Sequence, residues 1–289
     1  MLIEILDHIS DPGNACKAND DALGHSAHHA VVIDGATGLA DTVLLEDEPS
    51  DAAWLAGLAA SVFSRGDGMP AGGLVGTVAR TARETLAQMH DLDHMPRHAL
   101  PVASFIMVRR VGQVLELSGL GDCVAYVRTS GGESVRHCAL KDNRMLELRN
   151  ARAALDASGG FDASGSVVRD PGGLEKLRAA RSRANDGKGG IWLLGLEAEA
   201  ANHALNVSVR HAGEMEILLM SDGFSALSEA YERYSQDGLV DAALRSGLKY
   251  LLDELRDIEH RIDPLGRVYP RYKRSDDATA ILARITPGA

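Results

Sequence analysis

Between Val102 and Cys138 four short runs, "VASFIMVRR", "QVLELSG", "CVAYVRT" and "SVRHC", follow one another with only a few polar residues between them. Their aliphatic and β-branched residues suit a pleated, half-buried surface. A parallel crossover needs a dozen or more residues, so runs this close favour antiparallel hairpins. Further strand patterns flank the ladder: Ile3 to Ile9 and "HHAVVID" before it, "NVSVR", "MEILLMSDG" and "DATAILARI" after it. Helical periodicity covers about Ser50 to Ser64 and Gly73 to His90. It then predicts one long helix from about Tyr234 to Arg261, with Leu239, Ala242, Ala243, Leu251 and Leu255 on its apolar side. No linker divides these elements. The pattern predicts one α+β domain spanning residues 1–289, with antiparallel sheets covered by helices on their outer faces.

One stretch departs from this regularity. From about Asp142 to Gly189 the sequence is polar and helical, interrupted by "DASGGFDASG" and "NDGKGG". It reads as two short helices with mobile loops at the surface.

The chain has 289 residues, of which 45% are hydrophobic, enough to build a substantial core. Its net charge of -11 argues against a nucleic-acid or anionic-membrane surface, which would need clustered Lys and Arg. The same acidity is compatible with bound cations. Cys16, Cys123 and Cys138 form no C-x-x-C pair and are odd in number, as expected of free thiols in a reducing compartment. The opening "MLIEILDHISD" is acidic, and "AAWLAGLAASVF" is too short to span a membrane. These features predict a cytoplasmic location.

Carboxylates recur at strand boundaries. "NDD" precedes a strand, while "VVIDG", "LLMSDG" and "RSDDAT" each place aspartate at a strand end. Glycine after Asp34 and after Asp222 lets the chain turn and a backbone carbonyl approach a ligand closely. Each stretch alone also reads as an ordinary turn. Brought together, such carboxylates would repel unless they shared a cation. Oxygen donors without His or Cys favour Mg²⁺ or Mn²⁺ over zinc.

The order of these motifs resembles the metal-dependent protein phosphatases of type 2C, in their bacterial form. "NDDA" from Asn19 to Ala22 is similar to the family's N-E-D-A element, "VVIDGATG" to V-x-D-G-x-G-G, and "LSGLGDCVAYV" to the G-D-S-R-A-Y strand. "ILLMSDGFSAL" is similar to L-L-x-S-D-G, and "SDDATAILARI" to the closing D-N-A-T-x-x-x-x-R. The resemblance implies a four-layer αββα sandwich with two central antiparallel sheets and a two-metal site at one end. Carried over by position, Asp34 would bridge two Mn²⁺ or Mg²⁺ ions and the Gly35 carbonyl would ligate one of them. Asp20 would reach the second ion through water, and Asp222 and Asp276 would hold the first. Asp21 would order metal-bound waters, and Asp122 matches a carboxylate of a weaker third metal site. The implied activity is hydrolysis of phosphoserine or phosphothreonine in a protein substrate, by water activated between the two metals. The segment at about 142–189 would correspond to a flap beside the catalytic groove.

Several positions depart from the family pattern. The phosphate-binding arginine falls at Cys16, which cannot make a bidentate contact. The phosphate-binding residue is thus unassigned; the adjacent Lys17 is a candidate, though from a strand it could point the other way. Ala226 replaces an aspartate that accompanies the third metal, and Ala36 replaces a histidine that some members carry. The loss at residue 16 favours an alternative, a phosphatase-like binding or regulatory module without turnover; the retained carboxylates favour the enzyme.

Other candidates carry less. His90, His94 and His98 are spaced like a helical metal site, but Pro96 interrupts them and the stretch reads as a solvated helix end. His28 and His29 precede the strand of Asp34 and read as sheet-edge residues. Cys123 and Cys138 lie on neighbouring predicted strands as two buried thiols. "GDGMPAGG" and "NDGKGG" lack the Lys-Ser/Thr of a phosphate-binding loop and read as connectors.

Overall fold

The computed structural model describes residues 2–66, 68–140, 144–167, 171–210 and 213–286. The first two and the last two runs of the ladder form hairpins as expected, but the second and third part into different sheets. Strands β4 (Ala103–Val111) and β5 (Val114–Leu120) pair antiparallel in one sheet; β6 (Val124–Thr129) and β7 (Ser134–Cys138) pair in the other. Around them the chain adds β1 (Ile3–Asp11), β2 (Asp21–His25), β3 (His29–Gly35), β8 (Leu205–Arg210), β9 (Met215–Met220) and β10 (Ala278–Ile285). The sheets run β1-β10-β9-β6-β7 and β2-β3-β4-β5-β8, and every named pairing is antiparallel.

Strand alternation assigns the layers. In β3, Val32 faces the other sheet, where it packs in a core with Ile106, Leu117, Ile217 and Ile281. Its neighbours Val31 and Ile33 face outward into a second core, under α1 (Asp51–Arg65) and α2 (Ala71–Ala87). In β10, Ile281 and Ala283 point between the sheets, whereas Ala280 and Leu282 meet the opposite helical layer. That layer is α5 (Asp222–Glu229), α6 (Gln236–Ser246) and α7 (Leu248–Asp257). The result is the expected four-layer sandwich of helices, two sheets and helices.

The single long helix expected from Tyr234 to Arg261 is in fact three pieces. Gly247, at φ +81°, ends α6, and the Asp7 carboxylate of β1 accepts from the Leu248 N–H at 2.8 Å to start α7. A wide turn over Ile258–Ile262 follows, closed by the Asp263 N–H on the Ile258 carbonyl. The apolar residues anticipated on one face are buried as expected, because both pieces lie on the same sheet. The variable segment does supply two helices, α3 (Arg144–Ser158) and α4 (Pro171–Arg181), and 141–143 and 168–170 lie outside the described residues.

Candidate metal centre

The end of the sandwich where β3 stops collects the acidic motifs. Asp34 is the penultimate residue of β3, with Asp21 of β2 opposite it on one side and Ser104 of β4 on the other. Ser104 Oγ donates to Asp122 Oδ1 at 2.6 Å, which ties the "GDC" corner to the same strand ends. From the other sheet, Ser221 and Thr279 lock β9 to β10: Ser221 N–H donates to the Thr279 carbonyl at 2.9 Å, and Thr279 N–H to Ser221 Oγ at 3.0 Å. That bond pair sets Asp222, at the start of α5, beside Asp276.

Two glycines make the closeness possible. A Cβ on Gly35 would lie 2.3 Å from the Asp20 carbonyl oxygen, and one on Gly223 would lie 2.0 Å from that of Asp277. Only a residue without a side chain lets these strand ends meet.

Asp20 is held on both sides. Its N–H donates to Asp277 Oδ2 at 2.8 Å, its carbonyl accepts from Gly35 N–H at 3.1 Å, and its carboxylate accepts from Ser50 Oγ at 2.5 Å. Ser50 Oγ also accepts from Ala53 N–H at 2.9 Å, so the cap of α1 and the orientation of Asp20 are one feature. Asp277, which also accepts from Gly13 N–H at 3.1 Å, acts as the clasp between the N-terminal loop and the β10 approach. Sequence reading assigned no role to Ser50, Ser104 or Asp277. The serine before the first apolar residue of α1 signals a cap, but its bond to Asp20 spans 30 residues and leaves no local trace.

The electrostatics show how strongly these groups feel one another. Enclosure within the protein, and then repulsion from Asp222, Asp21, Asp122 and Asp276, hold the Asp34 carboxyl well above the usual carboxylate range. Burial raises Asp21 well up too, with Ser221 only partly opposing, and its Oδ2 is buried without a hydrogen-bond partner. Enclosure followed by Asp276 and Asp122 pushes Asp222 up to about 7. The Asp222 side chain opens onto a cavity. Asp20 is raised by burial, against the Ser50 hydrogen bond.

Among the described residues, no three acidic, His or Cys side chains draw close enough to make a ready-formed metal cage. Several carboxylates are instead turned to local partners: Asp20 to Ser50, Asp122 to Ser104 and Asp276 to Lys273. The donor set nevertheless suits a hard divalent cation. It is all oxygen, its members repel, and among the described residues Asp21 Oδ2 is buried without a hydrogen-bond partner. Asp20, Asp34, the Gly35 carbonyl, Asp222 and Asp276 are the groups that could hold such ions, with Asp21 and Asp122 beside them.

The remaining candidates lie elsewhere. Cys16 and Lys17 sit in an exposed turn, not on a strand: Cys16 N–H donates to Asn14 Oδ1 at 2.9 Å and Lys17 N–H to the Asn14 carbonyl at 2.9 Å. Lys17 Nζ reaches Ser166 Oγ at 3.5 Å. His29 is at the opposite end of β3 from Asp34, bonded through Nδ1 to Ser26 Oγ at 2.9 Å, so neither it nor His28 faces the site. The three spaced histidines diverge, His90 to the Leu44 carbonyl, His94 to Asp91 and His98 to Ser182. All of them lie beyond the last turn of α2. Cys123 is buried and Cys138 is half-buried, with Sγ 3.6 Å from the Asp122 carbonyl. Burial, and next Asp34, push the Cys123 thiol well up, which leaves it unreactive. No helix among the described residues is long and apolar enough to cross a membrane.

No protein-family model and no curated protein matches this sequence. Solved structures do resemble it. The serine/threonine phosphatase PstP/Ppp of Mycobacterium tuberculosis matches over 99% of this chain and 100% of its own, with a TM-score of 0.56 and 15% identity. The PstP catalytic domain in complex with two manganese ions matches over 98% of both chains, at 0.53 and 14%. PppA of Pseudomonas aeruginosa, a regulatory component of T6SS, covers 97% of this chain and 98% of its own, at 0.51 and 15%. At such identities the likeness is one of architecture: this chain has the fold of the bacterial type 2C serine/threonine phosphatases.

Proposed function

We propose that the protein is a Mn²⁺- or Mg²⁺-dependent phosphomonoester hydrolase of the type 2C family, acting on phosphoserine or phosphothreonine in a protein substrate. The observation that carries this reading is the grouping of Asp20, Asp21, Asp34, Asp122, Asp222 and Asp276 at one end of the sandwich, where each of the others but Asp20 raises the carboxyl of Asp34. In this reading Asp34, shared between two divalent cations, would hold them together with the Gly35 carbonyl, Asp222 and Asp276 at the first and Asp20 at the second, with Asp122 beside a weaker third. Bound divalent cations supply Lewis acidity and a water acidic enough to attack phosphorus near neutral pH. The protein's own part is positional. Ser50 fixes the Asp20 carboxylate, β3 delivers Asp34 on a rigid strand, and the Ser221–Thr279 bonds hold Asp222 beside Asp276. A water oxygen would bond to phosphorus in line as the ester O–P bond breaks, with one water proton ending on the departing serine or threonine oxygen and phosphate as the other product.

Fold likeness to a phosphatase that binds two manganese ions supports the metal choice by analogy. The second reading, a phosphatase-like module that binds without turnover, draws on the exposed turn at Cys16, which offers no guanidinium to a phosphate. Hydrolysis of an aryl phosphate and of phosphopeptides, with Mn²⁺ against a metal-free control across about pH 6–9, separates the two. Turnover that depends on Mn²⁺ supports the enzyme; none above control with either substrate leaves the binding module.

A further inference from the structure

We propose that Lys273 is the cation that holds the substrate's phosphate, in place of an arginine at residue 16. This rests on the phosphatase reading above and names a residue which that reading does not supply.

Lys273 Nζ donates to Asp276 Oδ1 at 2.5 Å, on the wall of a cavity of about 400 Å³ that Asp122, Asp222 and Asp276 also line. Its position is built into the fold. Tyr272 and Arg274, on either side of it, form backbone bonds with the variable segment: Val167 N–H to the Tyr272 carbonyl at 2.8 Å and Arg274 N–H to the Gly165 carbonyl at 2.6 Å. The side chain is half-buried, so its ammonium is confined to the neighbourhood of the acidic cluster. Burial works to lower its pKa, but Asp276 in contact, with Asp222 and Asp277 nearby, more than offsets this and holds it up.

The other basic side chains around the cavity are committed to structural partners. Arg136 is bidentate to Glu229, at 2.9 and 3.0 Å. Arg271 pairs with the buried Asp263 at 3.1 Å and donates to the carbonyls of Asp263, Tyr269 and Arg274. Lys17, outside the cavity lining, is exposed and turned to Ser166. Lys273 differs because its partner, Asp276, has a second claim on its oxygens. When Asp276 turns to a divalent cation, the ammonium beside it is released from that carboxylate and is left next to the place where a phosphate dianion must arrive. A point charge with three donors suits that role, as lysines do at other phosphate sites.

The test uses the full-length protein and two ligands, Mn²⁺ and inorganic phosphate. Calorimetry measures Mn²⁺ binding to the wild type, Lys273→Met and Lys273→Arg, then phosphate binding to each Mn²⁺-loaded form. Lys273→Met should bind Mn²⁺ at least as tightly as wild type, since a competing cation is gone. Its phosphate affinity should fall on the order of tenfold or more, the scale of one charge-assisted hydrogen bond, and Lys273→Arg should recover part of it. Wild-type phosphate affinity in Lys273→Met would overturn the assignment, as would a parallel loss of Mn²⁺ and phosphate binding, which marks a purely structural lysine. A wild type that takes up no Mn²⁺ is a separate failure: it removes the phosphatase reading, and this inference with it.

Discussion

Asp21 and Asp34 are direct cross-strand partners, set opposite each other where β2 begins and β3 nears its end. Like charges in that relation destabilise a ladder, so the pair costs the fold stability. It has a pH signature. Asp34, Asp21 and Asp222 all have folded-state carboxyls raised above their ordinary value, Asp222 to about 7. A raised carboxyl binds its proton more tightly folded than unfolded. Its stabilisation is therefore complete below the unfolded value of 3.8 and is lost as pH rises through the folded value. The groups facing Asp222 are Asp34, Asp122 and Asp276, with Lys273 as the opposing charge. Metal-free protein should lose thermal stability as pH rises through about 4 to 7, and Mn²⁺ should raise the melting temperature more at about pH 7.5 than at about pH 5.5, because protons compete for the same oxygens. Melting curves with and without Mn²⁺ at each pH check this.

Ser50 both caps α1 and holds Asp20. Ser50→Ala should cost about 1 kcal/mol from the cap, a fall of roughly 2 °C in melting temperature. It should also weaken Mn²⁺ binding, which an N-cap elsewhere in the protein would not do. Ser235→Ala, which removes the cap of α6 by the same chemistry, is the control. Calorimetric Mn²⁺ titration beside a melting curve separates the two effects.

Gly223 has no room for a methyl group: its Cβ would stand 2.0 Å from the Asp277 carbonyl oxygen. Gly223→Ala should push α5 away from the β10 approach and move Asp222 from Asp276. Mn²⁺-dependent turnover should fall at least a hundredfold, on the scale of misplacing a reacting group by about 1 Å. Gly76→Ala, where a Cβ meets nothing within 4 Å, should leave turnover unchanged.

How much of this was legible in the sequence follows from where each signal sits. Asp34, Gly35, Asp222 and Asp276 lie in short motifs at strand ends, and strand alternation reads directly from Val31, Val32 and Ile33, so fold and carboxylates emerge together. Lys273 and Asp277 were not readable as functional. Their partners, Ser166 for the one and Gly13 and Asp20 for the other, are brought close only by the tertiary fold. Lys17 was expected on a strand, yet Asn14 turns the chain there through its own side chain and carbonyl. The break at Gly247 was hidden because the apolar period continues on both sides of it, and only the Asp7 cap from β1 makes it a helix start.

The variable segment supplies strand partners to both neighbours of Lys273, through Gly165 and Val167. Deleting residues 158–172 should leave Mn²⁺ stoichiometry intact while lowering phosphate affinity and the rate on phosphopeptides. Equal losses of metal and substrate binding would show that the segment belongs to the core instead. Calorimetry with Mn²⁺ and then with phosphate reads both quantities on one sample.

The central claim is that Asp34 bridges two cations whereas Asp276 holds one, and Mn²⁺ titration of the wild type, Asp34→Asn and Asp276→Asn tests it most directly. All three proteins should fold, and Asp34→Asn should be at least as stable as wild type without metal, since it removes one charge from a repelling cluster. The wild type should bind two Mn²⁺ in its tighter sites, Asp276→Asn should retain one of them weakened, and Asp34→Asn should retain neither. Wild-type stoichiometry and affinity in Asp34→Asn would contradict the account at its central residue.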